Sequence, residues 1–597
     1  MLAGRSRARA VTFAPIWAAA LCSASIAPVS AQAQQTNQYG NPLKLAPRPT
    51  TAAITAEDLK TRLYIFADDS MMGRQAGREG NMKGTAYIAR EAQRIGLRPA
   101  GDNGTFFQNL PYVVRKFSDR STLAAGGRQL RWLNDFIATP AAMAPRPISN
   151  VPVIFGGVQG DTLMQIGAEQ ANGKLVVLLP GSAQAGRGGG GGGGGARGAG
   201  RGGAPPVNRF AGAAAVAVVD LQTLSMPARA LINNPAGSPP RGGGGGARGG
   251  QAAQPQTPPQ PPAAQLRITP EAAAILLGRS LDGLQPGATG GSATANLDFV
   301  EQPVPEFGRN VVAILPGSDP ALRGEYVAIG AHNDHVGFTA APVDHDSLRA
   351  FATQRLGFQI DGTTLGAATP EELASIRVNV DSLRRLRPAR LDSIRNGADD
   401  DGSGSMAMLE IAEALASMPT KPRRSIIFVW HTGEEGGLTG SRWFTDNPTV
   451  PRDSIVAQIN IDMIGRGRAG DLPGGSEDYL AVVGSKRLST ELADMVASVN
   501  QRQQRRLRLD YQFDDSTTWP GYNNIYGRSD HANYARFNIP IAFFFTGLHQ
   551  DYHQVTDEPQ YIDYPHYARI TNYVRDLMVE IGNRDKRPAV DKPATEN

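Results

Sequence analysis

The residues able to do chemistry in this chain of 597 fall into five short runs. They are His332-Asn333-Asp334-His335, the acidic turn Gly397-Ala398-Asp399-Asp400-Asp401-Gly402-Ser403-Gly404, the pair Glu434-Glu435, Asp462 within Asn460-Ile461-Asp462-Met463-Ile464-Gly465, and Asp551-Tyr552-His553-Gln554. A set of two histidines and three carboxylates drawn from these runs suits a hard-to-borderline divalent cation, zinc first, with manganese or cobalt as replacements. A single catalytic zinc keeps three protein ligands and an open position, so five are too many for one. They are the right number for two metals that share one bridging carboxylate. The chain's only cysteine, Cys22, lies near the N-terminus, which leaves the rest without disulfides and without a thiol nucleophile or ligand.

These runs must be held by strands. Ser425 to Trp430 is an unbroken apolar and β-branched run ending in glycine and two acids, the pattern of a fully buried strand that releases Glu434 and Glu435 at its C-terminal end. In open α/β sheets that edge is where ligands bind. Adjacent residues leaving a strand point in different directions, so one glutamate can hold a metal while the other faces substrate. Further strands are expected at Asn310–Leu315, Tyr326–Ala331, Gln458–Met463, Tyr479–Val483 and Ile541–Phe545. Helices are expected over Ser405–Met418, Ser489–Arg502 and Pro565–Ile581. Alternating strands and helices define an α/β fold with a mixed, largely parallel central sheet flanked by helices. All eight histidines lie between His332 and His566, so the chemistry belongs to this part of the chain.

Ahead of it, residues 1–33 read as a signal peptide: Arg5, Arg7 and Arg9 precede an apolar stretch, followed by small residues around Ala31 and Ala33. This predicts export across an inner membrane to a periplasmic or extracellular location. Removing those three arginines takes the net charge from +5 to about +2. Arg187, Arg197, Arg201, Arg241 and Arg248 lie in Gly-rich runs without acidic neighbours, so the remainder is slightly acidic and the basic balance is no argument for nucleic acid. Residues 34–54 read as a leader or linker, and 55–119 as the N-terminal part of the main domain, with a Gly-rich loop around Gly73-Arg74 between two helical stretches. From 120 to 300 the pattern changes to short β-like pieces of a small inserted domain without histidine. Its Gly/Arg/Pro tracts at 186–206 and 237–262 are too polar to fold, and 586–597 reads as a disordered tail after the main domain at 301–585.

The order HxD, GADDDGSG, GEE, NxDMxG, SDH and DYH resembles the co-catalytic zinc exopeptidases of metallopeptidase family 28. The likeness spans Thr55 to about Leu110 and Pro305 to Asn583; the insert resembles a protease-associated domain through GKLVVLLPG and AGAAAVAVV. The resemblance implies a zinc exopeptidase fold and two Zn2+ per chain. His332, Asp400 and Asp462 would hold one, Asp400, Glu435 and His553 the other, with Asp400 as the bridge. Asp334 would orient His332, a role that fixes tautomer and basicity. Glu434 would act as general base on a metal-bridging water and then as acid toward the leaving amine. Tyr552 would donate to the oxyanion.

The resulting expectation is a secreted aminopeptidase acting on peptides, with no nucleic-acid partner and no stable membrane insertion; oligomeric state is not legible. A glutamate carboxypeptidase-like dipeptidase or a glutaminyl cyclase is the alternative specificity, and a receptor-like binding module that has lost catalysis the alternative class. The intact ligand set disfavours the last two. Asn333 and His335 read as polar rim, with a substrate contact by His335 as the alternative, and His431 as a packed, hydrogen-bonded histidine. His531 reads as support behind the ligands, Arg528 as a weaker substrate contact, and Asp399 or Asp401 as a helix cap or orienting acid. His345, His549 and His566 are assigned no role. The 68 positions from His332 to Asp400 leave room for an insertion, 339–395, expected to form a lid or rim over the site.

Overall fold

The computed structural model describes residues 40–592, apart from 142, 182–208, 225, 240–259, 357–374, 473 and 513–524. The proposed signal peptide, the tract 186–206, most of the tract 237–262 and the middle of the 339–395 insertion therefore lie outside the described residues.

Ser425–His431 is the axis of the molecule: every residue in it is buried, and it pairs in parallel with Tyr326–His332 on one side and antiparallel with Arg309–Leu315 on the other. Parallel pairing continues from Tyr326–His332 to Ile455–Ile461 and on to Ile541–Phe545, so four adjacent strands deliver their C-terminal ends to one edge. Antiparallel neighbours flank this parallel centre, completing a nine-stranded sheet among the described residues. Alternate residues of the axis strand feed two cores, as strand geometry requires. Ile426, Phe428 and Trp430 face the helices Ala56–Phe66, Glu79–Ile95, Gly404–Ser417 and Tyr564–Asn583, while Ile427 and Val429 pack with Phe444 and Tyr534 of two shorter helices. The long helices are capped as their sequences dictate: Thr55 accepts from the Asp58 N–H and Ser489 from that of Leu492. Buried Arg62 ties three of them together through Glu91, Glu410 and Glu413.

Among the described residues the inserted segment forms a separate eight-stranded sheet from Thr122–Ala125 to Thr289–Asn296. It has its own apolar core, including Leu123, Phe136, Val177, Leu266 and Leu276. The two-stranded pair Val113–Phe117 with Phe299–Pro303 leads the chain out of the main domain and back.

Asn41 donates to the carbonyls of Gln560 and Ile562, and Thr50 to Glu413, so the leader or linker lies against the main domain over 40–54. The tail reading is corrected for 586–592: Asp591 accepts from the Thr490 N–H at 2.9 Å, Ala589 donates to Glu491, and Lys592 donates to the Leu488 carbonyl. Unpaired donors at the start of helix Thr490–Gln501 attract an aspartate, a long-range pairing that local composition does not reveal.

Candidate metal centre

The four parallel strands end where the site begins. His332 is the last residue of its strand, Asp462 follows Ile455–Ile461, and Glu434 and Glu435 follow Ser425–His431 after a tight bend at Gly433. Gly433 has φ of +69°, and a Cβ there would lie 2.1 Å from the Thr439 hydroxyl, so only glycine makes that bend. The loop after Ile541–Phe545 brings His553, and the turn before helix Gly404–Ser417 brings Asp400 to the middle.

Asp400 has one carboxylate oxygen facing each of two donor groups. Its Oδ1 is 3.1 Å from His332 Nε2, which is also 3.5 Å from Asp462 Oδ1. Its Oδ2 is 3.0 Å from His553 Nε2, which lies 2.9 Å from Glu435 Oε2. Glu434 and Glu435 do diverge: Glu435 turns toward His553, whereas Glu434 lines the adjoining cavity with Oε2 4.0 Å from His332 Nε2.

The fit to cations follows from atoms left without partners. Asp400 Oδ2, Asp462 Oδ1, Glu435 Oε1 and His553 Nε2 are buried and accept or donate no hydrogen bond. Such orphans are rare in folded proteins unless an ion or water completes them. A cluster of carboxylates and imidazoles converging in a largely buried pocket is the donor set that a divalent metal neutralises. Burial acts to raise Glu435, as does Asp400, yet His553 and His335 hold it at about 2. Burial pushes Glu434 well above the ordinary carboxylate range; His332 opposes this, and Glu435 and Asp462 add to it. Two neighbouring glutamates are thus driven apart, one a firm anion and one readily protonated.

A second layer holds these groups. Asp557 accepts from the N–H groups of Asp399 and Asp400, fixing the acidic turn. Asp401 caps it, accepting from the Gly404 and His332 N–H groups, and Asp399 accepts from Gly465 while standing 3.2 Å from His549. Asp551 is paired with buried Arg466, so its negative charge anchors the loop one residue before Tyr552.

The Gly-rich loop around Arg74 proves to be part of this layer. The Arg74 side chain is fully buried, and its guanidinium donates to the carbonyls of Phe66, Asn333, Asn396 and Gly397, bracing both His332-Asn333-Asp334-His335 and the acidic turn from below. Its φ of +42° is unusual for a side-chain-bearing residue and is held by these bonds. Arg74→Met keeps the stem but takes the side-chain donor from four buried carbonyls, of which Gly397 alone keeps another, the Gly402 N–H. It is expected to lower stability by about 3–5 kcal/mol in chemical denaturation.

Several sequence expectations are refined. His332 Nδ1 lies 3.1 Å from the backbone carbonyl of Asp334 and 3.7 Å from its carboxylate, which instead accepts from the Glu434 N–H at 3.1 Å. Asp334 therefore orients His332 chiefly through its backbone and Glu434 through its side chain. Tyr552 lines the cavity and stacks on His553, ring centroids 3.8 Å apart. His431 binds the Tyr534 hydroxyl at 3.0 Å, a packed histidine as read. His531 stacks on Phe543 at 4.6 Å, and burial lowers its pKa to about 4. Arg528 lines the cavity. His335, read as rim, is fully buried with Nδ1 2.9 Å from Glu435 Oε1 and 3.6 Å from Asp400 Oδ2. Its spacing, one residue past the HxD pattern, was the available signal.

The described part of the insertion contributes none of the cavity's lining residues. It grips the loop bearing His553 from outside: Arg349 pairs with Asp551 and lies over the Tyr561 ring, and His345 and Arg390 both pair with Glu558. The described part of the insertion is thus a strap on that loop, with Arg349 and Arg390 reaching its acids while Arg384 and Arg387 pair with Asp344 and Asp346 inside the insertion.

Residues 310–578, the part of the chain that carries the candidate centre, match Peptidase family M28. Among curated proteins it is 28% identical over 175 residues to leupeptin-inactivating enzyme 1 of Streptomyces exfoliatus, covering 29% of this chain and 34% of that one. It is 27% identical over 194 residues to leucine aminopeptidase 1 of Penicillium rubens, covering 31% and 46%. The chain thus spans less than half the length of these relatives. Among solved structures, a zinc aminopeptidase from Bacillus subtilis aligns over 91% of this chain and 99% of its own at 15% identity, with a TM-score of 0.44. An aminopeptidase from Aneurinibacillus sp. strain AM-1 aligns over 91% and 97% at 16% identity, with a TM-score of 0.42.

Proposed function

We propose that this protein is a two-zinc exopeptidase that removes N-terminal residues from peptides. The observation that carries the proposal is Asp400, whose two oxygens face separate groups of metal-capable atoms while Glu434 looks into the same cavity. His332 and Asp462 would hold one zinc, Glu435 and His553 the other, and Asp400 both. Bound there, two zinc ions polarise a peptide carbonyl and make water acidic enough to attack it at neutral pH.

The chain's own residues supply the rest. Glu434, beside the donor atoms but not among them, takes the proton from the attacking water and returns it to the leaving amine. Burial favours its protonated form, which suits the second half of that cycle. Tyr552 stays a phenol because burial raises its pKa well above the ordinary value, so it donates to the developing oxyanion. The Asp462 carboxylate is steadied by the Ser529 hydroxyl at 2.7 Å.

Met463, Ile525, Phe543, Phe545 and Leu548 give the cavity an apolar wall. Such a wall accommodates an apolar side chain better than a charged one. We read the insert as a protease-associated domain from its GKLVVLLPG and AGAAAVAVV pieces, outside the chemistry. Export to a periplasmic or extracellular location is part of the proposal and rests on the composition of residues 1–33. No described helix is long and apolar enough to cross a membrane.

The test is a substrate panel on the zinc-loaded protein. Leucyl and phenylalanyl amides should be cleaved with kcat/KM at least about 10-fold above glutamyl and lysyl ones. N-acetylation should abolish cleavage. Turnover of N-blocked acidic dipeptides would move the assignment to a carboxypeptidase, and cyclisation of N-terminal glutamine would move it to a cyclase.

A further inference from the structure

We propose that His335 is a fourth protein ligand at the His553 end of the centre, binding the cation through Nδ1, so that the two metal positions differ in kind. The inference rests on the two-metal reading of the site. One position would be served by His332, Asp400 and Asp462, the other by His335, Asp400, Glu435 and His553. Each member of the second group offers one ligand atom, and these atoms lie within 4.8 Å of one another.

The local chemistry supports a ligand over a bystander. His335 Nδ1 is buried without a hydrogen-bond partner, and so are the three atoms it joins: Asp400 Oδ2, Glu435 Oε1 and His553 Nε2. His335 Nδ1 and Glu435 Oε1 are 2.9 Å apart but lack the alignment of a hydrogen bond. That is the relation of two donor atoms directed at a shared third partner, whereas a histidine that merely steadied Glu435 would point its N–H along the contact. The His335 and His553 rings stand edge to face with centroids 5.5 Å apart, leaving both nitrogens free to converge.

The backbone is also built to hold this ring in place. The His335 N–H donates to the Arg74 carbonyl at 3.1 Å, so the buried arginine loop fixes where the residue leaves the strand edge. Across from the ring lies Gly397, with φ of +56°; a Cβ there would come within 2.5 Å of the imidazole. A polar rim residue needs neither restraint. With two nitrogens against one, the His335 position suits borderline cations such as cobalt, nickel and zinc better than its neighbour does. It fills first.

Cobalt titration of metal-free protein tests this. Wild type is expected to take up two equivalents in two steps, and its cobalt-loaded form to show three hyperfine-shifted, exchangeable imidazole N–H signals, from His332, His335 and His553. His335→Ala is expected to weaken the tighter step by at least about 100-fold and to lose one signal. Two cobalt ions but only two such signals in wild type, or an unchanged tight step in His335→Ala, would overturn the role of His335 while leaving the two-metal reading intact. No cobalt uptake by wild type would overturn both. Should the variant not fold, the count of signals in wild type decides the matter alone.

Discussion

Glu434→Gln is expected to lower kcat by about 10³-fold or more with KM little changed and both metals retained. The amide has the same shape as the carboxylate but takes no proton, so the substitution removes the transfer and little else. Metal should stay because Glu434 is not one of the atoms that converge around Asp400: its Oε2 stands 4.0 Å from His332 Nε2 and faces the cavity. Its backbone, held by the Asp334 carboxylate at 3.1 Å, is untouched. Zinc analysis alongside the kinetics separates the possibilities. A rate within a few-fold of wild type would remove Glu434 from the chemistry, and loss of zinc would make it a ligand.

Asp400→Ala should abolish activity and empty the whole centre, not half of it. Both carboxylate oxygens are committed, Oδ1 toward His332 and Oδ2 toward His553, so deleting the side chain takes one ligand from each position. The remaining donors lose their link as well as a charge. Zinc affinity at both positions is expected to fall by at least about 100-fold, read by equilibrium dialysis. The backbone cradle should survive, because Asp557 binds the N–H groups of residues 399 and 400 and not the Asp400 carboxylate. One zinc remaining at wild-type affinity would assign Asp400 to a single position and refute the bridge.

By itself, the sequence determined the buried strands and which metal-capable residues stand near their ends. Ser425–His431, Tyr479–Val483 and Ile541–Phe545 are legible because a strand buried on both faces is an uninterrupted apolar run, and burial is a local property of composition. His332, Glu435, Asp462 and His553 are legible because each comes after such a run, and parallel strands carry their C-terminal ends to a common edge, whereas Asp400 stands out as the middle acid of the turn before helix Gly404–Ser417. The strand Ile455–Ile461 starts three residues before and ends two before the expected Gln458–Met463, since the apolar run continues past its end to Ile464 and only pairing with its neighbours ends the ladder.

Tertiary structure alone decided what depends on contacts between distant segments. Arg74 lies 259 positions from Asn333 and 323 from Gly397, and no local pattern marks a guanidinium that will find four buried carbonyls. The docking of 586–592 and the strap formed by Arg349, His345 and Arg390 depend in the same way on acids far along the chain. His335 is the instructive case. Its type and neighbourhood are plain in the sequence, but whether a histidine just past a strand end turns to solvent or inward depends on what stands opposite. Here the glycine at 397 makes room for the ring and the Arg74 carbonyl holds the His335 N–H, and the ring turns toward the metal-capable atoms.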